Sequence, residues 1–343
     1  MNNFKEELTQ FFDMIEAIPE NKKYWIVRTE GGEFFESFTT FNYVALGHEE
    51  ISLKKIDDLK KGSKNLDELR FKLKEHIENI LPDRNAGLIA GQLVRFIYEM
   101  KKGDIVIVPS EGSAFISIGE VEQTSLLEVK DIDVDRTGCP YRKRKKIKWI
   151  KTVSKRSADI LLRNAMQSHQ ALNDITHYGD IVERSIGDFF KIDDETSIII
   201  NVNRVSEVPA PDLLYFGSDI LRFTEGLIKY YDLDFNVSDI QIKINVNSEG
   251  KTQFLSKNGR LILLVGLVVI GITGGGLKVD VNGFNLDLST DGLISKVIDY
   301  QNNQHDREMQ KEIIKAKDSL QISNNEDLLK YLKQFAANKD KPK

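Results

Sequence analysis

The longest stretch of this chain without a charged side chain is LILLVGLVVIGITGGGL, from Leu261 to Leu277. Charged residues interrupt every other segment of comparable length, and Arg260 and Lys278 flank this one. A helix of these 17 residues would be about 26 Å long, slightly shorter than the roughly 30 Å hydrocarbon core of a bilayer. Whether this segment lies in lipid or inside protein therefore decides the fold.

Three locations fit this apolar segment. In the first, which we favour, it is a transmembrane helix whose lipid-facing residues include Leu261, Leu264, Leu267 and Ile270, and the cations before it place its N-terminal side in the cytoplasm. Its glycines would allow close helix packing in a homo-oligomer, which a pore built from one span per chain requires. In the second it is a buried core helix or a pair of strands, and in the third a surface covered by a partner. The first places the protein in the inner membrane with its N-terminal domain in the cytoplasm, and the alternative localisation is cytoplasmic.

The composition limits the classes of protein that fit. The chain has 343 residues, of which 41% are hydrophobic and 29% charged, as is typical of globular proteins. The formal net charge of -5 argues against coating of nucleic acid by the whole surface, although a local basic patch exists. Cys139 is the only cysteine, which excludes an intrachain disulfide and a four-cysteine zinc site. The acidic, amphipathic N-terminus does not have the pattern of a secretory signal peptide.

Changes in composition and periodicity divide the chain into six predicted segments. The fold class we predict is a multidomain α+β protein with a small α/β module, a single short membrane-spanning or buried apolar helix, and C-terminal helices. The segments are a lead-in helix at 1–20, an N-terminal domain at 22–155, a helical linker at 156–192, an α/β oligomerisation module at 193–256, the apolar segment at 261–277, and a hairpin with C-terminal helices at 278–343.

The N-terminal domain contains a series of motifs in a characteristic order. An opening strand carries an aromatic and an arginine, and a helix-to-strand corner of the form F-x-x-x-M-K-x-G-D precedes V-P-S, I-G-E-V and a late K-W strand. The motifs are Trp25 with Arg28, Phe96 to Asp104, Val108 to Ser110, Ile118 to Val121, and Lys148 with Trp149. In this order they resemble the PUA-like superfamily, and within it EVE-type domains and the N-terminal modules of some restriction and phage-defence proteins.

This resemblance implies a β-barrel domain that holds a nucleotide or a modified base in an aromatic-lined cavity. A base taken out of its stack needs flat faces and a few donors that read its edge. The candidate ligand-binding residues are the aromatics Trp25, Phe41 and Tyr43 and the polar residues Arg28, His48 and Ser110. The alternative is that the aromatics are core residues of a small barrel, and we expect Gly103-Asp104 to be structural.

A second candidate site is the basic strand near the end of this domain. Seven cations occur in the ten positions from Arg142 to Lys151, with Tyr141 and Trp149 as nearby stacking surfaces. Such a density favours phosphate binding through counterion release, whereas the alternative is a solvated edge that lysines protect from aggregation. Simple alternation places Arg144, Lys146, Lys148 and Ile150 on one face, and Lys143, Lys145, Ile147 and Trp149 on the other.

The sequence contains no strong catalytic pattern, and it indicates neither a cofactor nor a metal. Phosphate-binding loops, zinc-protease helices and nucleophile elbows are all missing from it. One weak alternative is a Mg²⁺-dependent nuclease, for which Asp239, Glu249 and Lys251 have the required residue types. Glu249, however, stands at an apparent turn.

Together these segments describe a sensor joined to an effector. The layout resembles bacterial anti-phage membrane effectors of the Hailong channel type. That resemblance implies a defence protein that senses a nucleotide or oligonucleotide, assembles as a homo-oligomeric channel, permeabilises the membrane, and works beside a signal-producing partner enzyme. The alternatives are a soluble reader of modified DNA in a restriction-type system, and the nuclease.

Overall fold

The chain folds into two compact units. One, the inserted unit, is Asn21–Ile186; the other, the discontinuous unit, combines Met1–Glu20 with Gly187–Lys343. The structure, a computed structural model, describes residues 2–155, 158–168, 170–204, 209–245, 250–273, 278–281, 284–287, 304–323 and 325–339.

Strands occur in both units. In chain order the described strands are β1 Tyr24–Val27, β2 Tyr43–Leu46, β3 Ile105–Pro109, β4 Phe115–Val121, β5 Lys143–Ser154, β6 Leu172–Asp174, β7 Phe189–Ile192, β8 Glu195–Val202, β9 Gln241–Asn245, β10 Gly250–Ser256, β11 Lys278–Val281 and β12 Phe284–Asp287.

Helices cover the sheets. In chain order the described α-helices are α1 Asn2–Met14, α2 Phe35–Thr40, α3 Leu53–Lys61, α4 Leu66–Ile80, α5 Ala86–Val94, α6 Asp131–Thr137, α7 Ile160–Ala165, α8 Gly179–Ile186, α9 Ala210–Tyr230, α10 Gly259–Thr273, α11 Gln304–Leu320 and α12 Glu326–Lys339. A π-helical turn, Arg95–Glu99, continues α5.

The inserted unit is built on a curled six-stranded sheet with the order β2-β5-β4-β3-β1-β6. Strands β1 and β3 are parallel, and all other neighbours are antiparallel. All four residues of β1 are buried because apolar clusters cover both of its faces. Trp25 and Val27 pack with α4 and α5, whereas Tyr24 and Ile26 pack with α7 and α8.

The predicted PUA-like β-barrel is wrong. Strands β2 and β6 are the two edges of the six-stranded sheet, so the sheet is a half-barrel that stays open. The physical reason is the burial of both faces at its centre. A small closed barrel has one interior filled by side chains, but β1 and β3 contribute apolar residues to two separate clusters.

The discontinuous unit has a four-stranded antiparallel sheet with the order β7-β8-β10-β9. Helices α1, α9, α10, α11 and α12 contribute residues to the apolar cluster beside it. Strands β11 and β12 form a separate antiparallel hairpin, as the alternating pattern in this segment predicts.

The prediction of a transmembrane helix is also wrong. Within α10, Leu261, Leu264 and Ile270 have 0% exposure and Leu267 has 2%, because the sheet and several helices of the same unit enclose them. Among the described residues no helix combines the length and apolarity that crossing a bilayer needs. Residues 274–277 of the predicted segment lie outside the described residues.

Intramolecular packing explains why this helix is apolar on every side. It contacts β8 and β10 of the sheet and also α1, α9 and α11. A helix that is hydrophobic around its whole circumference is typical of a fully enclosed core position as well as of a membrane span. Gly266 serves the same packing, because a Cβ there would collide with Leu328 and would lie 3.0 Å from Ile198 Cδ1.

Two carboxylates meet where α12 begins. Asp188 Oδ2 accepts the Glu326 N–H at 2.9 Å, and Asp327 Oδ2 accepts the Asp188 N–H at 2.7 Å. Burial, followed by the negative charge of Asp327, raises the pKa of Asp188 to about 7. The backbone hydrogen bonds hold both acids in this position despite their repulsion.

Truncation of Leu264 in α10 tests the enclosed position of this helix. We expect Leu264→Ala to lower the free energy of unfolding by roughly 2–5 kcal/mol, the usual cost of a large cavity in a core. Urea denaturation followed by circular dichroism measures it. Leu214→Ala, at a leucine of α9 that is 64% exposed, is the matched control. Equal effects of the two substitutions would contradict the enclosed helix.

The carboxylate pair predicts a pH dependence. Because the pKa of Asp188 is raised in the folded state, the folded protein holds its proton more tightly, and stability falls as the pH rises from about 4 to 7. We expect Asp327→Asn to flatten this fall and to raise stability at pH 8 by about 1 kcal/mol. Denaturation at several pH values measures both effects. Asp194→Asn, at an exposed acid paired with Lys257, should leave the fall in place.

Candidate nucleic-acid interface

The first part of the basic strand is buried. Lys143 and Lys145 of β5 have 1% and 0% exposure, and both side chains reach backbone carbonyls. Lys143 Nζ donates to His48 O at 2.9 Å, and Lys145 Nζ donates to Thr124 O. Burial lowers the pKa of both ammonium groups, that of Lys145 to about 8. Both ammonium groups are therefore engaged inside the unit and are not available to phosphates.

Arg144, predicted to bind ligand, is also buried. Its guanidinium donates to the carbonyls of Tyr141 and Cys139, both at 2.7 Å, and to Thr137 Oγ1 at 3.0 Å. It also lies 4.3 Å from the centre of the Tyr43 ring, a cation–π distance. With three hydrogen bonds to the end of α6 and the loop after it, Arg144 acts as a structural residue.

The predicted stacking residues do not form one aromatic face. Trp25 is fully buried, and its indole N–H donates to Asp104 Oδ2 at 2.9 Å. Tyr43 is 2% exposed, with its hydroxyl 2.7 Å from Ser37 Oγ. Only Phe41, at 38% exposure, presents much of its ring to solvent. Trp25 and Tyr43 thus match the core interpretation, and Asp104 is structural, as the sequence predicts.

The predicted polar residues lie at three different places. His48 Nε2 is 3.2 Å from Gln92 Oε1, and burial lowers its pKa. Ser110 Oγ accepts the Phe115 N–H at 2.8 Å and so caps the turn before β4. Arg28 Nε donates to Ser168 O at 3.0 Å, and burial lowers the pKa of its guanidinium. Ser110 and Arg28 bind backbone groups and His48 contacts a glutamine side chain, so the three do not converge on one ligand.

The second part of β5 is exposed, and a bulge sets its geometry. Gly119 of β4 pairs with Trp149, but the next residue, Ile118, pairs with Lys151, so Ile150 has no partner. Such an extra residue reverses the alternation of side chains beyond it. Simple alternation would put Lys148 and Lys151 on opposite faces, and the bulge instead places them on the same one.

The pairing with β4 establishes which side chains share that face. Lys148, Lys151 and Val153 pair with Glu120, Ile118 and Ile116, which are alternate residues of one strand. Lys146 precedes Lys148 by two positions, and Lys155 follows Val153 by two, with its N–H donating to Ala114 O at 2.9 Å. We call the resulting row of exposed cations the lysine face: Lys146, Lys148, Lys151 and Lys155.

A close approach between β4 and β5 accompanies the bulge. A Cβ on Gly119 would lie only 2.7 Å from Trp149 Cε3, so the half-buried indole crosses the strand at the one position without a side chain. Trp149 directly follows Lys148 in β5, so alternation puts its ring on the face opposite the lysine face. The indole N–H donates to Phe38 O at 3.2 Å. Trp149, a predicted ligand residue, is therefore mainly a packing residue.

Acidic neighbours neutralise one end of the lysine face. Lys146 Nζ lies 3.2 Å from Glu122 Oε2, and Lys148 stands opposite Glu120 in the strand register. Lys151 has no ion pair within the described part of the chain. The uncompensated positive charge therefore lies beyond the bulge, towards Lys155.

The residues of the nuclease alternative are only partly placed. Asp239 ends the 3₁₀ turn Val237–Asp239, and Lys251 lies on β10. Glu249 lies outside the described residues. In the described ranges no cluster of three or more histidine, cysteine or acidic side chains has the arrangement of a metal site.

Buried Lys145 predicts a rise of stability in alkaline solution. Because its pKa is lowered to about 8 in the folded state, the unfolded chain binds more protons between about pH 8 and 10, and stability rises with pH in that window. We expect Lys145→Met to remove roughly 1–3 kcal/mol of this rise. Both tryptophans, Trp25 and Trp149, belong to the inserted unit, so their fluorescence follows its unfolding selectively.

An exposed lysine supplies the control for this measurement. Lys148→Met should keep the alkaline rise of the unmodified protein. If Lys145→Met and the unmodified protein showed the same pH profile, Lys145 would be solvated and the burial of the first half of β5 would be wrong.

Comparison with known proteins gives one match. Residues 23–176 match a family described as "Domain of unknown function (DUF8426)". No curated protein and no solved structure matches the chain. The matched range coincides closely with the inserted unit and includes the whole of the lysine face. The resemblance to PUA-like and EVE-type domains stays a prediction.

Proposed function

We propose that the inserted unit binds single-stranded nucleic acid along the lysine face. The observation that supports this most directly is the bulge at Ile150, which brings Lys148 and Lys151 onto one exposed face of β5. Alternate side chains of a strand are about 6.6 Å apart, so the row forms a linear track of positive charge. Single-strand binding proteins commonly use such a charged track along the phosphate backbone.

The contacts available on this face predict a particular kind of binding. The ring of Trp149 packs on the other side of the sheet, and Ile150, at 42% exposure, is the apolar side chain at the bulge. With little aromatic surface to stack on bases, phosphate contacts supply most of the affinity. Binding is then weakly dependent on sequence and strongly dependent on salt.

Other expectations from the sequence change accordingly. A channel made from α10 is not carried forward, because this helix is enclosed by its own unit. Roles in antiviral defence, assembly as a homo-oligomer and a signal-producing partner enzyme stay predictions. Among the original alternatives, a nucleic-acid reader of a restriction-type system accommodates the proposed binding best.

Lys148 and Lys151 form no ion pair in the described part of the chain, so their substitution makes the sharpest test. Fluorescence anisotropy with a short labelled single strand should show about tenfold weaker binding for the double variant Lys148→Gln with Lys151→Gln. Since single strands release about 0.7 counterion per phosphate contact, the slope of log affinity against log salt should become shallower by roughly 1.4.

The control carries the same change of net charge elsewhere. Lys61 and Lys74 lie on α3 and α4, which pack against the opposite face of the sheet, and their side chains are 79% and 50% exposed. Lys61→Gln with Lys74→Gln should bind like the unmodified protein. Equal affinities and salt slopes in both double variants would mean that the lysine face is only a solvated surface.

A further inference from the structure

A cavity of about 330 Å³ lies at the end of the lysine face. It is formed between the turn before β4, the end of β5 and helix α7. Its volume is at the lower end of the range for small-molecule sites. The polar residues that line it are Ser113, Lys155, Arg163, Asn164 and Gln167.

The charged residues that line this cavity are all cationic. Lys155 and Arg163 line it, and none of its described lining residues is acidic. Lys155 Nζ donates to Gly112 O at 3.2 Å, a neutral partner, and no acidic side chain of the described residues forms an ion pair with it. The nearby Asp159 is directed elsewhere, since its Oδ2 lies 3.6 Å from Arg184 and its Oδ1 accepts the Leu161 N–H.

Arg163 has an unused donor. Its Nε is buried and has no hydrogen-bond partner in the described structure. A buried donor without an acceptor typically costs about 1–3 kcal/mol, so the protein does not use this nitrogen to hold the guanidinium. Because Nε is covered, an anion in the cavity would meet the outer nitrogens of Arg163, a residue that lines the cavity. Guanidinium groups suit this role because their fork of N–H donors matches two oxygens of a phosphate.

Arg28, a candidate ligand-binding residue in the sequence, fixes the backbone at one side of the cavity. The guanidinium of Arg28 donates to the carbonyls of Met166 and Ser168, just after α7. Met166 and Ile116 give the cavity an apolar wall beside its polar one. Arg28 therefore positions the site rather than contacting a ligand, although the sequence predicted it as a ligand residue.

We propose that this cavity binds a terminal phosphate monoester, with Arg163 and Lys155 on the phosphate and the amides of Asn164 and Gln167 beside the attached nucleoside. This assignment rests on the proposed function. The cavity would hold the end of a nucleic-acid strand whose other phosphates lie along the lysine face, because Lys155 belongs to both the cavity and that face. A monoester carries more negative charge than the diesters of the chain interior, so this site distinguishes strand ends from strand interiors.

The test compares three forms of one short single strand: with a 5′-phosphate, with a 3′-phosphate and with neither. We expect one phosphorylated form to bind the unmodified protein about tenfold more tightly than the unphosphorylated form. Arg163→Gln should abolish this preference while leaving the unphosphorylated strand almost unaffected. Lys155→Gln, at an exposed residue, should reduce the preference as well, and Lys74→Gln should preserve it.

The outcomes separate this inference from the proposed function. Equal binding of the three strands overturns the cavity assignment and leaves the lysine face intact. If no strand binds but a nucleoside monophosphate does, with loss in Arg163→Gln, the cavity stands and the single-strand proposal fails. If neither strands nor the monophosphate bind, both fail. Tryptophan fluorescence during denaturation verifies that each variant is folded.

Discussion

A β-strand presents its side chains to alternate faces of a sheet, and any residue left out of register changes every assignment beyond it. In this protein that residue is Ile150. Its exclusion from the pairing with β4 puts Lys151 on the same face as Lys148, and Lys155 follows at the mouth of the cavity. Without the bulge the cations of β5 would be divided between two faces, and no continuous track of charge would exist.

The same strand serves two purposes along its length. Its first residues, including Lys143 and Lys145, bring ammonium groups into the interior, where backbone carbonyls take up their hydrogen bonds. Its later residues are exposed, and their charge becomes less compensated towards Lys155, away from Glu122. Stability and binding therefore depend on different lysines of one basic run, and substitutions must be chosen accordingly.

Local sequence patterns predict some features of the fold correctly. Other features differ from the prediction, and each difference has a physical reason. The strand at Trp25, the structural role of Asp104 and, in the discontinuous unit, the antiparallel pair β11–β12 follow from local patterns. The bulge could not be predicted, because it depends on the pairing of β5 with Gly119 on another strand. The transmembrane prediction for α10 is wrong because lipid and a protein core select the same apolar residues. Its enclosure involves α1, which lies some two hundred and fifty positions earlier in the chain.

The proposed function requires that one face of β5, beyond its buried start, contacts a polyanion. Acetylation of lysines, measured by mass spectrometry with and without a 5′-phosphorylated single strand, tests it most directly. We expect Lys148, Lys151 and Lys155 to react in the free protein and to be protected by the bound single strand, while Lys145 stays unreactive throughout. Rapid modification of Lys145 in the folded protein, or protection confined to lysines of α3 and α4, would contradict it.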